Sequence, residues 1–569
     1  MVIFKDSVLL TDIVIDAEEL SISPFGNVVE EPLELFVHED LASSFNAKIN
    51  PCDDFYEYVC YNWAKRHPVK EYELRSNQMS VNVEKVNLQL LDILKTKEDY
   101  GKNRINTLLY DAFDQCVNSK ERNELRSKPL FNALSLQINW KRYITGLLPE
   151  AVLSNITIED MTFEIEDVDS ITQLESLIQN LPNETLADYL EWKIILNYAG
   201  YLDDRYLNLK LELDHVLYGV EAQQPREQSC ISDVTSFFSD AVSALYVRKY
   251  FSNESRTMVR EIVDFIREAY ADRLNRTKWM DEDTKQDGIR KVHDMIEFIG
   301  YSDHIFDSKE MTTKYENLSF DSSMPYMDIV VKLGKWNTQT SFAQLIERNT
   351  RDKFEFMATD VNAFYDPSLN QIALLAGILQ GAYFNKSLPA PMNYGGIGVV
   401  IGHEMMHGFD DAGNEFDSNG SRRTWFDSFQ EMRQCFVQQY GRIQVLATDM
   451  AKVNGEQTAR ENIADNGGIR AAYAAMLKEL RRRHLDRRHK ITLDRVGNFT
   501  FEQLFFISHA FTWCGSVRPE ALIDQVLNDN HTPDKYRVNI VMANFPEFFS
   551  AFQCPTTSAM RLNATCAIW

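Results

Sequence analysis

The sequence contains no Cys-x-x-Cys pair, no internal repeat, no low-complexity tract and no apolar run long enough to cross a bilayer. The first absence excludes a zinc ribbon and a thioredoxin-like redox motif, and the next two exclude solenoid arrays and biased disordered segments. The fourth leaves this sequence without a membrane span. Basic charge is also in short supply, with 59 Lys and Arg against 84 Asp and Glu and a net charge of -25. That balance argues against nucleic acid or anionic membrane surfaces as partners and fits a solvated acidic surface. Residues 1–50 carry Lys5, Asp6, Asp12 and Asp16 among short apolar stretches, so no signal-peptide core is visible there.

What is present suits a large folded protein. At 569 residues, 44% hydrophobic and 12% aromatic, the chain exceeds one ordinary core and is expected to form two or more lobes. Its eight cysteines, at 52, 60, 116, 230, 435, 514, 554 and 566, are even in number and widely spread, a pattern of structural disulfides. Ten Asn-x-Ser/Thr sequons begin at Asn155, Asn183, Asn253, Asn275, Asn317, Asn385, Asn419, Asn498, Asn530 and Asn563. Together these point to a secretory-pathway ectodomain whose targeting segment lies outside this sequence.

Along the chain, residues 1–48 read as an irregular acidic segment, and organised sequence begins near Ile49. From there to about residue 345 the pattern is mostly helical. Val259, Ile262, Val263, Ile266, Ala269, Tyr270 and Leu274 recur at three- and four-residue spacing and form one apolar stripe, which is expected to face a core. The character changes near 354. Stretches 354–365 and 370–375 are rich in strand-favouring residues and flank an Asp-Pro-Ser turn, so two short strands meeting at a hairpin are expected. Amphipathic helices are expected around 424–445 and 461–480.

The pentapeptide His403-Glu-Met-Met-His407 follows the hairpin. On a helix its two histidines share one face, where both imidazoles can reach one metal ion with Glu404 beside them. The preceding run Asn393-Tyr-Gly-Gly-Ile-Gly-Val-Val400 is small or apolar, which places this helix in a core, where two histidines and a glutamate need a partner. A catalytic zinc takes three protein ligands, so a third is sought downstream. Glu461 opens a helical stretch with Asp465 one turn on, so the pair shares a face. Glu461 as ligand with Asp465 holding a ligand imidazole is one reading; from spacing alone, a solvated acidic helix start is an equal one.

Beyond that pentapeptide, several segments resemble one family in collinear order from about residue 49 onward. They are Asn50-Pro-Cys-Asp-Asp-Phe-Tyr-Glu-Tyr-Val-Cys60, Asn362-Ala-Phe-Tyr365, Ala376-Gly-Ile-Leu-Gln380, the His403–Asp411 segment, Glu461-Asn-Ile-Ala-Asp465, Trp513-Cys-Gly515, Arg518-Pro-Glu520 and Cys566-Ala-Ile-Trp569. The sequence resembles the neprilysin and endothelin-converting-enzyme family of zinc metallopeptidases. That resemblance implies a mainly α fold with a smaller β component, in which a thermolysin-like zinc catalytic lobe carries an all-helical cap lobe. Residues 49–85 would pack on the catalytic lobe, 86–345 would form the cap and 346–569 the catalytic domain.

The same resemblance assigns roles. His403, His407 and Glu461 would bind one Zn2+ per chain, with Glu404 as general base and Asp465 supporting a ligand histidine. His531 would stabilise the oxyanion, with Asp529 near it, and Arg537 would pair with substrate carbonyls. Asn362 and Ala363 would hold the peptide backbone, while Ile378, Tyr383, Val399, Val400 and Trp513 would line the pocket for the residue after the scissile bond. By family position the disulfides would be Cys52–Cys554, Cys60–Cys514, Cys116–Cys230 and Cys435–Cys566. The implied protein is an extracellular or plasma-membrane ectodomain that cuts small peptides on the amino side of hydrophobic residues, with the Asn530 sequon unmodified.

Some positions depart from the family pattern. The Cys116–Cys230 interval is much shorter than usual, which reduces the cap. Tyr61-Asn62 and Arg460 stand where glycines are usual, and Leu375, Gly381 and Ala382 where prolines are. A reduced cap raises an alternative: a peptide-binding protein that keeps zinc but has little turnover.

Overall fold

The computed structural model describes residues 34–35, 39–130, 168–343, 351, 356–422, 429–445, 452–493 and 496–567. Most of the acidic N-terminal segment, the Asn155 sequon, part of the Cys116–Cys230 interval and residues 354–355 and 424–428 of the expected strand and helix lie outside them. The architecture is α-rich, with short strands and two main hydrophobic cores.

The first core surrounds helix Val399–His407. It is built by Phe55, Val59 and Trp63 of helix Phe55–Arg66, the whole 259–274 stripe of helix Asn253–Arg276, and Leu504, Phe505 and Ile507 of helix Phe501–Thr512. The second core joins Val86, Leu90 and Ile93 of helix Gln78–Thr96 to helices Arg104–Val117, Arg226–Phe237, Ser239–Tyr250 and Tyr326–Ala343. Local chemistry starts several of these helices. Asp54 caps Phe55–Arg66, and reciprocal capping boxes at Asn77 and Thr500 open Gln78–Thr96 and Phe501–Thr512.

Two expectations need adjustment. Residues 253–300, assigned by sequence to the cap, contribute to the core around helix Val399–His407, because the apolar stripe packs there and Tyr270 donates its hydroxyl proton to the Gly402 carbonyl at 2.7 Å. The stretch before residue 49 is not wholly irregular either. Helix Glu39–Ser44 brings buried Leu41, with Phe45 just after it, into the same core.

The strands that matter form a three-stranded sheet. Gln371–Leu375 is central and fully buried, parallel to Ile296–Gly300 and antiparallel to Ala363–Asp366, with Ala363 opposite Leu374. The hairpin turn is set by Asp366, whose Oδ1 accepts the Ser368 and Leu369 amides at 2.8 and 3.2 Å, and by Asn370 at φ 47°. Among the described residues Ala363–Asp366 is thus an edge strand with one ladder side unused.

Helix Val399–His407 continues from a π-turn at Tyr394–Gly398 and crosses helix Ala459–Arg482 backbone to backbone. A Cβ on Gly402 would lie 2.4 Å from the Gly468 carbonyl oxygen, and one on Gly468 would lie 2.4 Å from the His403 amide nitrogen. Only glycine permits this contact, and the contact sets how far apart the side chains of the two helices stand. Four disulfides, Cys52–Cys554, Cys60–Cys514, Cys116–Cys230 and Cys435–Cys566, close the fold, and no described cysteine is free. The first two tie Cys52, just before helix Phe55–Arg66, and Cys60 within it to the C-terminal region across 502 and 454 residues. A single cross-link closing a loop of that size stabilises by roughly 6 kcal/mol in the chain-entropy account.

Candidate metal centre

Helix Val399–His407 presents His403 and His407 on one face, and the start of helix Ala459–Arg482 brings Glu461 against them. Glu461 Oε2 lies 3.1 Å from His403 Nε2 and 3.5 Å from His407 Nε2, and the two imidazole Nε2 atoms are 3.0 Å apart. Among the described residues this is the one group of His, Cys, Asp and Glu whose ligand atoms, all within 4.8 Å of one another, could hold a metal ion.

Each histidine is oriented by its other nitrogen. His403 Nδ1 lies 2.8 Å from Asp465 Oδ1, and His407 Nδ1 lies 2.6 Å from Asp410 Oδ2. With those nitrogens donating, the Nε2 atoms of the neutral rings turn lone pairs toward Glu461. Glu461 Oε2 is itself buried and faces three imidazole nitrogens, with His531 Nε2 at 3.2 Å beside those of His403 and His407. Two lone pairs and a carboxylate oxygen meeting in a buried space call for a cation, and two imidazoles plus one carboxylate is a donor set that suits zinc and leaves a fourth position open.

Proton energetics say the same. Burial opposes charge on His403 and His407, yet Asp465, Asp410 and Glu461 outweigh it and raise both pKa values, that of His407 well above the usual histidine range. Burial likewise opposes charge on Glu461, and the facing histidines reverse it, holding the carboxyl well below its usual range. Glu461, which favours protons on the two Nε2 atoms, would favour a metal ion in their place. Glu404, buried beside them, has its pKa raised by burial, with the histidines pulling the other way.

Beyond the ligands, Arg537 donates Nε–H to Asp465 Oδ2 at 2.7 Å and Nη2–H to Asp465 Oδ1 at 2.6 Å. Burial notwithstanding, Arg537 and His403 hold the Asp465 carboxyl below its usual range. His531 stands with Nε2 3.2 Å from Glu461 Oε2 and Nδ1 2.8 Å from Asp529 Oδ1. Burial opposes its charge, but those two carboxylates lift its pKa to about 9.

These groups line a cleft of about 400 Å³. It is bounded by Asn362 and Ala363 at the sheet edge, by Ile378, Tyr383, Val399, Val400 and Trp513, and by Arg537, whose guanidinium lies 4.1 Å from the centre of the Trp513 ring. Every side chain singled out from the sequence for metal, acid–base or substrate contact borders this one cleft.

Other lining or supporting residues were missed. Asp410 follows His407 by three residues, an i,i+3 pair that could have been read as its partner. Arg460, noted only as a departure, donates its Nε–H to the same Asp410 oxygen at 2.8 Å. Arg75 and Asn77 reach the cleft from strand Arg75–Asn77, and His509 and Thr512 from helix Phe501–Thr512; nothing local in the sequence marks them.

Comparison with known proteins agrees with this geometry. The chain is 38% identical to mouse membrane metallo-endopeptidase-like 1 over 76% of its own length and 56% of that protein's. It is 33% identical to Caenorhabditis elegans neprilysin-1, over 86% of this chain and 64% of that one. The chain therefore spans little more than half to about two thirds of the length of these relatives. The crystal structure of Mycobacterium tuberculosis zinc metalloprotease Zmp1 in complex with an inhibitor has the same fold, with a TM-score of 0.80 at 20% identity, covering 93% of this chain and 99% of that one. Models of peptidase family M13 match residues 51–136, 131–302 and 362–568, and this chain belongs to that family.

Proposed function

We propose that this chain is a zinc-dependent metalloendopeptidase that hydrolyses small peptides on the amino side of hydrophobic residues. The observation that carries this is the convergence of His403 Nε2, His407 Nε2 and Glu461 Oε2, with Glu404 on the same buried wall. Zinc held by these three residues would act as a Lewis acid on the scissile carbonyl and acidify water. The remaining chemistry belongs to the protein. Glu404, with its raised pKa, is suited to take a proton from the attacking water and pass it to the leaving amine. His531, held by Asp529, and Arg537 supply donors for charge that develops on the carbonyl oxygen. The free edge of strand Ala363–Asp366, with Asn362 before it, can pair with an extended substrate, and the apolar wall of Ile378, Val399, Val400 and Trp513 suits a hydrophobic side chain.

Residues 86–345 would contribute the cap and 346–569 most of the catalytic lobe, with the 253–300 segment shared as described. The four disulfides and the relatives support an extracellular setting, as a secreted protein or an ectodomain, glycosylated at exposed sequons such as Asn253. No helix among the described residues is long and apolar enough to cross a membrane.

A second reading, a peptide binder with little turnover, is favoured by one observation: the N-terminal family model matches in two overlapping pieces, 51–136 and 131–302, as expected when cap sequence between them is absent. Hydrolysis of internally quenched peptides by zinc-loaded protein separates the two. Cleavage that stops with a chelator and with Glu404→Gln supports the peptidase. Binding without cleavage by folded wild type supports the binder, and chelator-resistant cleavage rules out the zinc mechanism.

A further inference from the structure

We propose that His509 is a specificity-determining residue of the cleft, selecting a substrate side chain with a hydrogen-bonding tip, above all a tyrosine phenol, over a purely apolar one such as phenylalanine. This refines the peptidase reading and rests on it for the identity of the cleft.

His509 sits on helix Phe501–Thr512, one turn before Trp513, with the two rings 6.5 Å apart edge to face. It lines the same cleft as Ile378, Tyr383, Val399 and Trp513, yet it is only 3% exposed. Neither of its ring nitrogens has a hydrogen-bond partner. The other three histidines of the cleft all have one, in Asp465, Asp410 and Asp529. The Arg537 main chain lies beside the ring and acts weakly against the fall in its pKa, outside good hydrogen-bond geometry.

The neighbouring polar groups are already engaged. Thr512 donates its hydroxyl to the His509 carbonyl at 2.7 Å, and Tyr383 donates its hydroxyl to the Thr512 carbonyl at 3.2 Å. Among the described residues of this wall, His509 is the imidazole left unspent. Burial pulls its pKa down to about 4, so the ring is neutral at physiological pH, with one nitrogen donating and the other accepting.

A buried polar group without a protein partner is costly, and a ligand that supplies one removes the cost. The apolar walls accept an aromatic ring. A phenol at its tip can donate to the bare nitrogen or accept from the N–H, so it suits either tautomer. A phenyl ring in the same place covers the imidazole and keeps it from water. Sites built to bond a substrate hydroxyl discriminate strongly against the analogue that lacks it.

The test uses two internally quenched peptides identical except for tyrosine or phenylalanine on the carboxyl side of a single scissile bond. For wild type we expect kcat/KM to favour tyrosine by about 10-fold. His509→Phe should bring the ratio to unity or below, and His509→Gln, which offers a donor and an acceptor, should retain the preference. The same ratio in wild type and His509→Phe overturns the proposal. If zinc-loaded wild type cleaves neither peptide, the peptidase reading fails separately. The His509 proposal is then decided by calorimetric affinities of the two peptides for Glu404→Gln with and without His509→Phe or His509→Gln. Loss of the tyrosine preference with Phe and its retention with Gln supports it; equal affinities throughout, or no binding, overturns it.

Discussion

Arg460 reaches across from the start of helix Ala459–Arg482 to Asp410, donating its Nε–H at 2.8 Å to the same Oδ2 atom that lies 2.6 Å from His407 Nδ1. Asp410 is fully buried, and its other oxygen accepts the Ala412 and Gly413 amides at 2.9 and 2.6 Å. One carboxylate therefore fixes the His407 ring, the loop after the metal helix and the helix that carries Glu461. Carboxylates in this position typically contribute 10- to 100-fold to metal affinity. Asp410→Asn is expected to weaken zinc binding by about that factor, and Arg460→Gly by a few-fold, with both variants folded. Competition with a fluorescent chelator measures it; unchanged affinity in Asp410→Asn would remove Asp410 from this role.

Glu404→Gln keeps the size of the side chain and removes its basicity. Glu404 is buried, and the ligand histidines are oriented by Asp465 and Asp410 instead, so zinc affinity and melting temperature should stay near wild type. Peptide hydrolysis should fall by at least about 100-fold, the usual worth of a positioned proton acceptor. A variant that lost zinc along with activity would make Glu404 structural.

The Lys291 ammonium donates to the carbonyls of Gly408, Gly413 and Phe416 at 2.8, 2.7 and 2.7 Å, from a side chain with no exposure. Burial lowers its pKa to about 7, against Asp410 and Asp417, while three acceptors match three N–H bonds. Lys291→Met would leave those carbonyls dry where the metal helix ends. The expected loss is on the order of 3 kcal/mol by denaturant titration, with zinc affinity reduced as the 408–416 loop loosens. Stability within a few tenths of wild type would contradict it.

Asp240, in the second core, is held by Lys314 at 2.6 Å and by His304 at 3.8 Å. Burial opposes its charge, but His304 and Lys314 prevail and lower its pKa from 3.8 to about 2. A depressed carboxyl contributes stability that is full above the unfolded pKa and is lost as pH falls through the folded one. The loss therefore runs from about pH 4 down to about pH 2, and amounts to roughly 2 kcal/mol. Asp240→Asn should flatten that part of the acid-unfolding curve; an unchanged slope would mean Asp240 is not protonated there.

How much of this was legible in the sequence follows from the range of each interaction. The histidine pair and the 259–274 stripe are carried by helical spacing, and the 363–375 hairpin by its turn residues, all local signals. The stripe announced a core without saying which, because an apolar face is the same toward any partner; hence the reassignment of 253–300. Spacing alone left Glu461 open, since a carboxylate opening a helix looks alike whether it faces water or a metal. Arg75, Asn77 and His509 reach the cleft only through tertiary packing, and a histidine on an apolar helix gives no sign that its nitrogens lack partners.

The close crossing of the two metal helices gives the last prediction. A methyl on Gly468 would stand 2.4 Å from the His403 amide nitrogen and 2.7 Å from the Gly402 carbonyl carbon, main-chain atoms that cannot rotate away. Gly468→Ala must therefore push the helices apart at the point where His403 meets Asp465 and Glu461. Contacts of 2.8 and 3.1 Å do not survive a shift of even half an ångström unchanged. Zinc affinity is expected to fall more than about 10-fold, along with a lower melting temperature. Gly334→Ala is the control: in helix Tyr326–Ala343 its added methyl meets nothing within 4 Å, so it should stabilise by about 0.5 to 1 kcal/mol and leave zinc binding alone. If Gly468→Ala behaved like Gly334→Ala, the helix crossing would not be what holds His403 against its partners.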